Sequence, residues 1–313
     1  MVIEFLNVKR SSTFLGFAVA FIALRLLLFL STEIQFEPSE KVGYLPTLLF
    51  PAKYLYLHFG LSTVYHIGAA LLVNRSISES QLPLRNSFAP ALAYLLLILT
   101  IPSTLVLSLD SLLVLVTLAF LAAMNQIKGA KLQPKLTFNI ALFLGLVLLF
   151  NSNSLVFLPI LWVKLFRERD FFIRELIISL IAVAVFPYIS ISISWIFNLG
   201  WEVNLYPPNL SMPEFSWSNL LNTSWLVVLW LTLWIIRSRQ ILRVKNTLSP
   251  YFLLLLFSIP LYLLNLDFTS LQLLLPGLAI SLAMVSYNLR SAWVGNIIIG
   301  IILAAGILNY LSF

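Results

Sequence analysis

Apolar side chains come in long runs along the chain, broken by short polar connectors. Runs near the length needed to cross hydrocarbon, about 20 residues, fall at 12–30, 54–73, 88–105, 109–126, 137–150, 154–166, 176–197, 217–236, 250–266, 269–287 and 292–312. This pattern predicts an all-α fold, a polytopic transmembrane bundle of about eleven spans forming one integral membrane domain over 1–313. The stretches 137–150 and 154–166 are short, so a hairpin dipping part-way into the bilayer is the alternative for that pair. No internal repeat is evident, which weakens the case for inverted halves.

Composition leads to the same conclusion from another direction. The 313 residues are 60% hydrophobic and only 10% charged, too few polar groups to cover one soluble core. Bilayer is the solvent that resolves this. With no cysteine, disulfide frameworks, thiolate metal sites and cysteine nucleophiles are excluded. A pI near 9.7 would suggest nucleic acid in a soluble chain, but here the basic residues mark one side of a membrane.

With a cytoplasmic N-terminus, the inner segments collect Lys9, Arg10, Arg75, Arg85, Lys128, Lys131, Lys135, Lys164, Arg167, Arg169, Arg174, Arg237, Arg239, Arg243, Lys245 and Arg290, which is 16 of the 19 Lys and Arg residues. The outer side keeps Lys41 and Lys53, with Arg25 inside the first span. Lys and Arg accumulate on the cytoplasmic side of membrane proteins, so the N-terminus is expected inside and the C-terminus outside. Trp195, Trp201 and Trp217 flank the long outer loop, and Trp162, Trp234 and Trp293 sit near inner ends, as interfacial belts would. Trp225 and Trp230 fall mid-span and read as packing residues. Lys9 and Arg10 precede the first span, and no small-residue cleavage pattern follows Leu30. A retained signal-anchor is therefore expected.

Two outer segments are long enough to hold a site. The first, 31–53, carries Glu33, Glu37 and Glu40, and its apolar part at 44–50 is interrupted by Pro46 and followed by Pro51. An interfacial or re-entrant helix fits this part better than a straight span. The second, 198–216, is rich in proline and aromatic residues. The inner connector 164–175 mixes charge with Phe166, Phe171 and Phe172 and suits a membrane surface.

Candidate chemistry is sparse. There is no phosphate-binding lysine loop, dinucleotide glycine fingerprint or metalloprotease helix motif. His58 and His66 stand eight apart on one helix, two turns from each other, and cannot share a metal directly. No metal site shared by the two is expected, the sequence leaves any cofactor unknown, and a haem ligand or proton relay is the lesser reading of either histidine. A histidine within a span ordinarily bonds a neighbouring helix. Arg25 lies about a turn and a half below the outer end of its span. A charge at that depth either snorkels to the interface, joins a structural pair, or holds the phosphate of an anionic lipid. Asp110 and Asp267 sit at outer turns, where Asp commonly caps a helix. The plain reading of Glu33, Glu37 and Glu40 is a solvated acidic loop, since Pro38 interrupts the helical face their spacing would make.

Asn74-Arg75 through Leu84-Arg85-Asn86-Ser87-Phe88, leading into the run at 91–98 and Pro102, and Phe150-Asn151 through Leu158-Pro159-Ile160-Leu161-Trp162, resemble a family of uncharacterised multi-pass inner-membrane proteins of bacteria that have an outer membrane. The likeness covers about residues 70–190; Lys135-Leu136-Thr137-Phe138-Asn139 departs from it by lacking an acid. In layout the region is similar to membrane glycosyltransferases of the GT-C type, which pair an acid in the first outer loop with one at a following outer turn. That resemblance implies a transferase, or an inactive relative, acting on polyprenyl- or lipid-linked sugar at the outer face of the inner membrane. It places Glu33, Glu37 or Glu40 and Asp110 at the catalytic positions; such chemistry also needs a cation to hold the leaving phosphate, and Arg25, read above as a lipid-phosphate ligand, is the candidate. The chain departs in having a short first loop without Asp and no large outer domain. The alternative is a non-catalytic envelope-assembly subunit or a transporter of lipid-like cargo. Membrane lipids are the expected partners and nucleic acid is not; the sequence names no protein partner.

Overall fold

The computed structural model describes residues 11–31, 55–78, 82, 84, 87–105, 107, 109–127, 133–149, 152–168, 173–197, 217–240, 242–265, 268–288 and 292–311. All regular structure among the described residues is helical. The α-helices are α1 (Ser11–Ser31), α2 (Leu55–Ser78), α3 (Ala89–Ile98), α4 (Leu109–Gln126), α5 (Pro134–Leu148), α6 (Phe157–Glu168), α7 (Ile173–Phe197), α8 (Trp217–Ser238), α9 (Leu242–Asn265), α10 (Phe268–Asn288) and α11 (Ala292–Leu311). Each apolar stretch of the sequence has its helix. Four of the helices, α1, α2, α7 and α8, contain segments long and apolar enough to cross a membrane.

Their outer surfaces suit hydrocarbon. On α1, Leu15, Val19, Leu27 and Leu30 are exposed, and on α7 so are Ile177, Ile181, Ile196 and Phe197. Water would penalise so large an apolar surface, whereas lipid tails do not. In that solvent, helices are held together by close packing and buried polar contacts rather than by apolar burial.

Helix α10 is the hub, packing against α2, α3, α4, α8 and α9. All ten residues of α3 are buried, and it fits between α1, α2 and α10. At the far side, α7 packs on α5 through small residues. A Cβ added to Gly145 would come within 2.5 Å of the Val183 carbonyl oxygen, so only glycine lets the two backbones approach this closely.

The sequence suggested one span over 88–105, and the structure breaks it. Helix α3 runs only to Ile98, and a 3-10 turn, Pro102–Leu105, follows. Ten residues make about 15 Å of helix, half the hydrocarbon thickness. Pro102 explains the stop. It lacks the N–H that would bond the Ile98 carbonyl and its ring crowds that same oxygen. The carbonyls freed by the break must find donors inside the protein, because lipid offers none.

At the other end of the bundle, the buried Glu175 carboxylate accepts the Gln133 N–H (2.6 Å) and the Thr137 hydroxyl (3.2 Å) at the start of α5. Acceptor charge at a helix N-terminus is favourable, so Glu175 pins α7 to α5. Trp162 Nε1 donates to Ser179 Oγ at 2.9 Å, which ties α6 to α7.

Candidate functional site

Several buried polar groups gather around the broken helix. Thr104 lies in the 3-10 turn, and its carbonyl oxygen accepts from Arg25 Nη2 (2.6 Å) and from Ser62 Oγ (2.6 Å). Arg25 Nη2 also donates to Ser62 Oγ at 3.0 Å. The Thr104 hydroxyl donates back to Ile101 O (2.7 Å) and Ile98 O (3.2 Å). Thr100 O accepts from Asn309 Nδ2 at 3.0 Å, and Asn309 is held by Asn222 of α8, whose Nδ2 donates to its Oδ1 at 2.9 Å. Gln272 Nε2 of α10 donates to Ser103 Oγ at 2.8 Å. Backbone carbonyls of the irregular segment after α3 are thus satisfied by side chains from α1, α2 and α11, while α10 bonds the Ser103 side chain.

Arg25 does not snorkel. It is 1% exposed and points into the bundle, with the Phe21 and Phe59 rings 5.5 and 5.8 Å from its guanidinium carbon. Those ring faces stabilise the cation in part. Its remaining donors, on Nε and Nη1, are buried and have no hydrogen-bond partner among the described residues. A buried guanidinium with unfilled N–H groups is costly, and an anionic acceptor would offset that cost.

Other unfilled groups lie near it. His66 shares a 2.9 Å hydrogen bond with the Tyr94 hydroxyl through Nδ1, a helix-to-helix bond of the kind expected for a histidine within a span. Its Nε2, the Tyr310 hydroxyl and Gln272 Oε1 are buried without a partner among the described residues. His66 lies one turn along α2 from Ser62, which accepts from Arg25. Together these groups can hold an anion at Arg25 and offer a hydroxyl or imidazole nitrogen beside it.

The predicted acids stand differently. Glu33, Glu37 and Glu40, like the whole of 32–54 and of 198–216, lie outside the described residues. Asp110 is the second residue of α4, but its side chain also lies outside what the structure describes. The first turn of α4 is tied to α2, since the Tyr65 hydroxyl donates to Ser111 O. The start of α4 and the Arg25 cluster are therefore both anchored to α2, where Tyr65 and Ser62 are three residues apart.

Sequence reasoning named Arg25 and His66 but missed Ser62, Thr104, Tyr94 and Tyr310 as their neighbours. The one available signal was the Thr100-Ile101-Pro102-Ser103-Thr104 run, a helix-breaking proline flanked by hydroxyl side chains. Trp225, buried, and Trp230, stacked on Phe252 with ring centres 5.6 Å apart, are packing residues as expected. Among known proteins, no family model, curated protein or solved structure matches the chain.

Proposed function

We propose that the chain is a polytopic protein of the bacterial inner membrane, crossing about eleven times with its N-terminus inside and C-terminus outside, and that Arg25 holds the phosphate of a lipid-linked substrate near the outer face. The observation that carries this reading is the buried guanidinium whose Nε and Nη1 donors have no partner among the described residues. Phosphate oxygens are strong, charged acceptors suited to a guanidinium.

The reaction that fits is glycosyl transfer of the GT-C kind from a polyprenyl- or lipid-linked sugar. An outer carboxylate, one of Glu33, Glu37, Glu40 and Asp110, takes the proton of an acceptor hydroxyl. The oxygen then attacks the anomeric carbon, and the bond from that carbon to the phosphate oxygen breaks. The lipid phosphate leaves with the electron pair, and Arg25 stabilises the charge it gains.

A second reading has its own support. Discontinuous helices surrounded by buried polar side chains are how transporters build a cargo site, and α3 with its 3-10 turn has that form. Such a protein, or a non-catalytic assembly subunit, binds lipid phosphate without breaking a bond. The discriminating experiment replaces the acids by amides (Glu33→Gln, Glu37→Gln, Glu40→Gln and Asp110→Asn) singly and together, at equal membrane abundance. A transferase loses complementation with at least one single amide, by roughly a hundredfold or more if a general base is removed. Full complementation by the combined mutant contradicts the transferase and leaves the binding and transport readings.

A further inference from the structure

The opposite end of the bundle carries a second cationic feature, independent of Arg25. Arg167 lies in the last turn of α6 and Arg237 in the last turn of α8, and both guanidiniums come down on the first turns of α9. Arg167 Nη2 donates to Asn246 Oδ1 at 3.0 Å, and its Nη1 donates to Ser249 Oγ. The guanidinium carbon of Arg237 sits 5.1 Å from the centre of the Phe252 ring. Asn246, Ser249 and Phe252 are spaced three apart and so lie on neighbouring turns of one face of α9. Ser249, under Arg167, and Phe252, under Arg237, are i, i+3 neighbours, so the two guanidiniums sit over adjoining positions of the same helix.

Like charges placed side by side destabilise a fold unless something between them compensates. Among the described residues no carboxylate bonds either one; the nearby Glu168 is engaged by Lys164 at 3.0 Å. Arg237 Nε is buried and without a partner among the described residues. The ring under Arg237 and the two polar groups under Arg167 fix both forks in place. Two guanidiniums held in this way suit a tetrahedral anion between them.

We infer that Arg167 and Arg237 form an anion site for a phosphate group, at the end of the bundle that carries the basic loops. The group it takes is a phosphate ester or inorganic phosphate: an anionic phospholipid headgroup seated between α6, α8 and α9, or phosphate from solution. Zwitterionic headgroups are disfavoured, because their own ammonium is repelled by the pair.

The test uses the full chain in nanodiscs of phosphatidylcholine alone, of phosphatidylcholine with phosphatidylglycerol, and of phosphatidylcholine with added inorganic phosphate, with bound species read by native mass spectrometry. Wild type retains phosphatidylglycerol, inorganic phosphate or both, and the arm that shows retention names the source. Arg237→Gln and Arg167→Gln each weaken retention roughly tenfold, the effect of one charge-assisted hydrogen bond. Arg239→Gln, an exposed arginine at the same level, changes nothing, and Arg25→Gln leaves this retention intact while affecting the outer site. Phe252→Leu removes only the platform and keeps both charges, so it serves if either glutamine variant fails to accumulate; it too weakens retention. Retention equal to wild type in the accumulating variants, or lost equally in Arg239→Gln, overturns the site.

Discussion

Arg25 is where sequence and structure differ most instructively. Its position in the span permitted snorkelling, since a side chain that long can reach the interface from a turn and a half below it. The hydropathy pattern gives no hint of which way it points, because lipid makes every face of α1 apolar. Only its neighbours decide, and Ser62 and Thr104 come from segments 37 and 79 residues away. Arg25→Leu removes a buried charge together with two hydrogen bonds donated by Nη2. Its stability without ligand should change little, because Ser62 still donates to Thr104 O and an unfilled guanidinium is no longer buried. Stabilisation by polyprenyl phosphate should disappear, a loss of about 2.7 kcal/mol at a hundred times the dissociation constant. Thermal unfolding in detergent with and without that lipid checks both parts.

The eleven α-helices among the described residues were legible as elements because a bilayer imposes a simple length rule, and the starts and ends agree to within a turn or two at most junctions. The start of α9, Leu242–Asn265, was placed eight residues late at 250. The segment before it carries Arg243, Lys245 and Asn246, whose polarity masks a helix that continues past the apolar run. The break after α3 was hidden for the opposite reason, since the run from Ala89 to Leu107 stays apolar or hydroxyl-bearing throughout. Asn309 is one support of that break. It donates to Thr100 O and accepts from Asn222. A Cβ at Gly306, one turn earlier, would press on Thr100, so α11 sits tightly against the break. Asn309→Leu should cost about 1–3 kcal/mol, because a buried carbonyl loses a donor and the Asn222 amide loses one of its acceptors. The same substitution at Asn296, exposed on α11, should be neutral; a chemical-denaturation comparison of the two variants measures the difference.

At the scale of the whole molecule, the distribution of Lys and Arg predicts how the bundle sits in the membrane. Reporter fusions after Lys131 and Arg239 should report cytoplasm, and a fusion near Met212 should report the outside. An outside signal at Lys131 would overturn the assignment of spans from the middle of the chain onward. Helix order and class could be read from the sequence, whereas the Arg25 cluster could not, since its members are brought together by which helix packs on which. That information is carried by small residues at crossings, such as Gly145, and by single polar contacts across helices. The central claim is that the guanidinium of Arg25 holds a lipid phosphate. It is tested most directly by native mass spectrometry of the purified chain titrated with polyprenyl phosphate, wild type beside Arg25→Gln. The account predicts a bound lipid on wild type and affinity at least roughly tenfold lower for the variant; equal affinity for the two would contradict it.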